Sequence, residues 1–212
     1  MARKKTAAKK TAKKAGDSAD RLVDAGLALA AEDGWSRITM AAVADRAGLA
    51  LGDALLVAPT RAHLLVKFLD RLDAANLSGL SVSEEGSARD RLFEVLMRRF
   101  DLLNQKRDAV RAVIAGVPRD PPSAAMLACR VGRSAAALLG AAGISAEGLI
   151  GFARVQGLKA VMACALRAWM SDDGADMGKT MAALDKALAR AERLAAFRPP
   201  AFKKDRTSAE AT

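Results

Sequence analysis

ITMAAVADRAGLALGDALLVAPTRAHLLVKFL, residues 38–69, is the stretch whose reading decides the fold. Met40, Val43 and Ala47 recur at three- and four-residue steps and then meet Gly48, which predicts a short helix from Thr39 that stops at a tight turn. A glycine there supplies the positive φ that a short turn between helices needs. Leu51 to Val57 predicts the next helix. Pro59 opens a longer one from Thr60 to about Leu77, with Leu64, Leu65, Phe68 and Leu72 as its buried stripe.

Upstream, Leu22, Ala25 and Leu29 mark one face of a helix over Ser18 to Asp33, ended by Gly34, and Trp35 reads as the plug that packs this helix onto the turn. Downstream, the polar stretch GLSVSEEGS, residues 79–87, predicts a domain boundary. Apolar spacing then predicts five more helices, the second of them stopped by the turn at PRDPP (118–122), the last two running from about Ser145 to Met170 and from about Asp176 to Ala196. Nine helices, no Tyr and abundant Ala and Leu make the chain all-α.

The last two helices carry heptad-like stripes: Val155, Leu158, Met162, Ala165 and Trp169 on one, and Met177, Met181, Leu184, Leu188, Ala191 and Ala195 on the other. Such stripes suit a four-helix interface between two copies, through Val155, Leu158, Trp169, Met181, Leu184 and Leu188. Closure of a monomer's core is the alternative use of such stripes.

Of 212 residues, 34 are Lys or Arg and 24 are Asp or Glu, a formal charge of +10. Seven of the cations, Arg3, Lys4, Lys5, Lys9, Lys10, Lys13 and Lys14, fall in the first 14 residues, where there is no acid. This segment is expected to be a disordered tail over 1–16 that grips a polyanion by counterion release. Residues 198–212 read as a second disordered tail.

No apolar signal core follows the basic start, and Arg130, Arg133, Lys159 and Arg167 cut the apolar stretches short of the ~18 residues that a membrane span requires, so stable insertion is not expected. Cys129 and Cys164 lie outside any metal or redox spacing and read as small core residues of a cytoplasmic protein. A single histidine, His63, and carboxylates confined to loops and helix starts argue against an enzyme and against bound metal or cofactor.

Thr39, Val43, Ala44, Ala47, Gly48, Leu49 and Gly52, followed by Pro59, Thr60, Arg61, Leu64 and Leu65, resemble the helix-turn-helix module of TetR-type transcriptional regulators over residues 18–77. The resemblance implies a TetR-like fold, with a three-helix DNA-binding domain over 17–79 and a helical ligand-binding and dimerisation bundle over 80–197. It also implies double-stranded DNA as partner and a small apolar effector. Thr39, Ala50, Leu51, Asp53, Ala54 and Leu56 would face DNA, and Arg61 and Lys67 the flanking backbone. Phe93, Leu96, Met97, Phe100, Val113, Met126, Phe152, Gln156 and Met162 would line the effector pocket.

Leu55, Val57 and Ala58 stand where such regulators usually carry phosphate-gripping groups, and residues 15–79 hold six basic and nine acidic residues. Gly34-Trp35 and AWMSDDGADMGKTMAALDKAL, residues 168–188, are also similar to TetR-fold lipid-binding accessory proteins of ubiquinone biosynthesis. That resemblance implies a vestigial helix-turn-helix.

Overall fold

A computed structural model describes residues 2–79, 86–174 and 176–196. Among them are nine α-helices: α1 (Ala2–Asp33), α2 (Met40–Arg46), α3 (Leu51–Val57), α4 (Arg61–Leu77), α5 (Ala88–Asn104), α6 (Arg107–Gly116), α7 (Pro121–Ala141), α8 (Gly148–Met170) and α9 (Gly178–Ala196). Short 3₁₀ turns at Trp35–Arg37 and Val117–Arg119 complete the order, and the all-α expectation holds. The basic start is a correction: α1 runs unbroken from Ala2, since Ala and Lys are strong helix formers and no proline interrupts them. The tail expected at 198–212 lies outside the described residues.

Local sequence sets the helix ends. Thr39 caps α2 by accepting from the Ala42 amide at 3.2 Å, and Thr60 caps α4 from His63. Ser87 and Asp90 form a reciprocal capping box on α5. Asp120 caps α7, with Pro121 in the first turn where a missing amide costs nothing.

Two apolar cores result. The first joins Leu22, Val23 and Trp35 to Val43, Ala54, Leu64 and Leu65, and takes Ala109, Val113 and Val117 from the region of α6. The second gathers Leu69 and Leu72 with Leu96, Phe100, Leu138, Leu158, Trp169 and Leu184. The division therefore cuts through the middle of α4 rather than at residues 79–87. A helix of 17 residues is long enough to bury one end in each core. At Gly116 the two parts touch so closely that a Cβ would lie 2.6 Å from that of Trp35.

The heptad stripes close α8 on α9 within the chain. Leu158, Trp169, Leu184 and Leu188 are all buried in the second core, with Leu184 wholly inaccessible, which corrects their assignment to an intermolecular surface. Val155 is half-buried against the same core, and of the six only Met181 is exposed. The outward face of α8 carries Leu149, Ile150 and Phe152, the last 64% exposed. Cys129 and Cys164 are exposed, not core.

By length and composition α7 and α8 are each apolar enough to cross a bilayer, which corrects the expectation that no stretch suffices. Here one face of each helix packs into the second core.

Because Leu184 is core and Phe152 is not, Leu184→Ala should destabilise the chain by about 2–5 kcal/mol, as large core truncations do. Phe152→Ala should change the urea midpoint little. Equal midpoints for the two variants would mean that the α8–α9 stripe is not a core seam.

Candidate nucleic-acid interface

α2, its turn and α3 pack as a helix-turn-helix on α1. Gly48 takes φ +63° at the turn, and the Arg21 guanidinium of α1 donates to the carbonyl oxygens of Ala47 and Gly48, fixing the turn from behind. Arg46 forms a two-pronged pair with Glu32, at 2.9 and 2.7 Å, which ties the end of α2 to the end of α1. That pair holds the Glu32 carboxyl below the ordinary range and raises Arg46.

α3 turns Ala54 and Ala58 inward, each with no exposed surface. Ala54 is therefore a correction: it lies four residues from both Ala50 and Ala58, on the face that meets the core. Ala50, Leu51, Asp53 and Leu56 are exposed as expected, Leu56 at 86%, and Leu55 joins them. This outer face offers apolar surface and one carboxylate.

Arg61 also departs from expectation. Its guanidinium donates to the carbonyls of Trp35 at 3.1 Å and Ser36 at 2.7 Å and lies 3.3 Å from the Asp120 carboxylate. Asp120 is buried and caps α7, so Arg61 joins the helix-turn-helix to the bundle instead of reaching outward. Lys67 is half-buried in the middle of α4. Thr39 is exposed, its oxygen engaged in the α2 cap. The side chains of Arg3, Lys4, Lys5, Lys9, Lys10, Lys13 and Lys14 lie outside the described residues, although their backbone belongs to α1.

An open groove of about 440 Å³ runs beside this surface, lined by Ser36, Arg37, Ile38, Thr39, Met40, Pro59, Thr60 and Arg61. The N-termini of α2 and α4 both border it, and their partial positive ends favour anions.

The expected effector pocket is not assembled. Leu96 and Phe100 are buried in the second core, and Phe93, Met97 and Met162 pack against it. Val113 belongs to the first core, Met126 is half-buried on α7, and Phe152 and Gln156 face outward from α8. A tight void of about 10 Å³ beside Trp35, Leu64, Phe68 and Val113 is smaller than any effector.

Sequence reading missed a buried polar cluster between α4, α5 and α7. The Asp73 carboxylate accepts from the Arg99 guanidinium, from Arg130 at 2.7 Å and from the Ser134 hydroxyl at 2.5 Å. Burial pushes Asp73 up, but Ser134, Arg99 and Arg130 outweigh it and hold the carboxyl below the usual range. A charged residue one step along the Leu69–Leu72 stripe was the available signal.

No family model matches the chain. A stretch of 51 residues is 43% identical to the HTH-type transcriptional repressor KstR of Mycobacterium tuberculosis, covering 24% of this chain and only 23% of that protein's length. Among solved structures, a TetR transcriptional regulator from Nitrosomonas europaea superposes with a TM-score of 0.66 at 21% identity, over 82% of this chain and 98% of the other. A second, from Rhodococcus sp. RHA1, gives 0.61 at 22% identity over 82% and 95%. The chain has the TetR fold.

Since Arg61 is an internal tie, Arg61→Ala should destabilise the protein by about 1–3 kcal/mol, the loss expected for charge-assisted hydrogen bonds. An unchanged urea midpoint would return Arg61 to the solvent and to phosphate contact.

Proposed function

We propose that this chain is a cytoplasmic, non-enzymatic DNA-binding transcriptional regulator of the TetR type, acting as a homodimer. The carrying observation is the intact helix-turn-helix: α3 lies outward on a turn fixed by Gly48 and Arg21, in a chain with the fold of two TetR regulators. Similarity of 51 residues to a known repressor supports the same reading. In a dimer, two such helices would meet successive major grooves about 34–36 Å apart.

The face of α3 sets the mode of readout. Leu51 and Leu56 can contact thymine methyls, and Asp53 can accept from a cytosine amine, so sequence discrimination is modest. Affinity comes from elsewhere: seven cations at the start of α1 release counterions irrespective of sequence. Deleting residues 2–14 should weaken binding to the chain's own promoter and flatten the salt dependence by several units, as read by fluorescence anisotropy. Asp53→Ala should alter the preferred site in a footprint. Equal slopes with and without the segment would remove it from the interface.

The second reading, a lipid-binding accessory protein of ubiquinone metabolism, is favoured by one observation: the exposed leucines of α3 with Arg61 turned inward. It predicts no footprint at all and a co-purifying apolar ligand.

The dimer would form on the outward face of α8, where Phe152, Ala160 and Cys164 are exposed on a helix apolar enough for a membrane, continued by Met181 on α9. Water-exposed apolar surface of this kind is ordinarily covered. Phe152→Glu with Ala160→Glu should give a folded monomer by light scattering and circular dichroism, and a persistent dimer would place the interface elsewhere.

A further inference from the structure

Arg61 holds two short turns against each other. Its guanidinium donates to the carbonyls of Trp35 and Ser36 in the Trp35–Arg37 turn and faces the carboxylate of Asp120, the residue that closes the Val117–Arg119 turn. The Ser36 hydroxyl donates to the Gly116 carbonyl at 3.4 Å, and a Cβ at Gly116 would collide with Trp35, so the turns also touch without Arg61. They approach within 8 Å, Cα to Cα. Each ends in an exposed arginine, Arg37 on one and Arg119 on the other.

Neither of these guanidiniums is committed to a carboxylate. No ion pair among the described residues involves Arg37 or Arg119. Arg119 donates to the Ala115 carbonyl at 2.9 Å, one of the five donors that a guanidinium carries. The charge around the junction has one sign. Residues 34–44, 57–62 and 112–120, which build it, hold Arg37, Arg61 and Arg119 against the single carboxylate of Asp120, which already faces Arg61. Residues 15–79 as a whole carry nine acids against six bases, so the junction inverts the sign of the module it adjoins. Arg37 also borders the open groove, beside the hydroxyl-bearing Thr39 and Thr60.

We infer that Arg37 and Arg119 form a patch for the phosphodiester backbone of duplex DNA, and that Arg61 is the positioning residue that holds the two turns carrying them. The patch takes over the flanking backbone contact expected of Arg61 itself. It rests on the regulator reading above and extends the interface past the helix-turn-helix, because Arg119 lies beyond α6, on the turn that leads into α7. Both arginines stand in water before the DNA arrives, so the gain on binding is release of the counterions that the phosphates held. Contacts of that kind set register and strength and carry no sequence information.

The experiment measures the affinity of the full chain for its own promoter duplex and for a scrambled duplex of equal length, by fluorescence anisotropy over a range of salt. Arg37→Gln with Arg119→Gln should weaken both duplexes alike, by about ten-fold at ~0.1 M salt, and flatten the salt slope by about two. Arg37→Lys with Arg119→Lys should keep the slope. Arg190→Gln with Arg193→Gln, an exposed pair on α9, removes the same net charge and should leave the slope unchanged. Arg61→Gln added to the Arg37/Arg119 glutamine variant should lower the slope no further, whereas a phosphate-contacting Arg61 would take away about one more. An unchanged slope in the Arg37/Arg119 glutamine variant overturns the inference, as does a lost slope in the lysine variant, an equal fall in the α9 variant or a further fall with Arg61→Gln. In each of those cases the chain still binds DNA and the regulator reading stands. Failure of the unaltered chain to bind either duplex overturns both.

Discussion

An ionised carboxylate inside a protein is stable only while donors surround it, and Asp73 is surrounded by three, from α5 and from two successive turns of α7. That requirement locks α4 to the bundle at one point along its length. Because α4 also contributes Leu64 and Leu65 to the first core, whatever fixes Asp73 also fixes the helix on which the helix-turn-helix rests. The arrangement of the two halves therefore depends on a polar contact, with apolar packing on either side of it.

A second connection runs through α6. Its C-terminal end meets Trp35 at Gly116, and beyond it the buried Asp120 receives Arg61. Its N-terminal end holds the α8–α9 turn: Arg107 donates to the Trp169 carbonyl at 2.8 Å and stacks on that indole 4.8 Å from its centroid, while Arg111 donates to Met170 and Asp173. Asp172 in the same turn accepts from the Thr180 amide and hydroxyl, both at 2.8 Å, which keeps its carboxyl below the usual range. One helix of ten residues thus touches both the helix-turn-helix and the hairpin on which a second copy would sit. A change in the angle of the hairpin has a short path to α2 and α3.

What the sequence disclosed follows from how locally each feature is determined. Gly48, Thr39 and Pro59 act within four residues of themselves, so the helix-turn-helix was legible. The stripes on α8 and α9 were legible as stripes, but a heptad spacing describes a seam without saying whose helix lies across it, and Leu184 and Leu188 face their own chain. The face that remains outward is rich in alanine and has no stripe to see. Arg61 illustrates the converse: its acceptors on Trp35 and Ser36 are 26 and 25 residues away, and only the folded backbone brings those carbonyls into reach. The pocket expectation failed for a related reason, since large apolar residues on central helices fill a core as readily as they line a cavity.

The separation of charge along the chain bears on how such a module could find DNA. Residues 15–79 carry more acid than base, and three of their arginines, Arg46, Arg61 and Arg71, are committed to internal pairs. A surface of that kind is not drawn to a polyanion, and an encounter left to α3 alone would begin against repulsion. α1 resolves this by continuity: 32 residues at ~1.5 Å each make a rod of roughly 48 Å whose first half carries the cations and whose second half anchors the turn through Arg21. The positive segment therefore continues the helix whose other half holds the helix-turn-helix. On the regulator reading, the start of α1 would steer and α3, held at the other end of α1, would read, so salt should govern how often the complex forms while the leucines and the carboxylate of α3 govern where it stays.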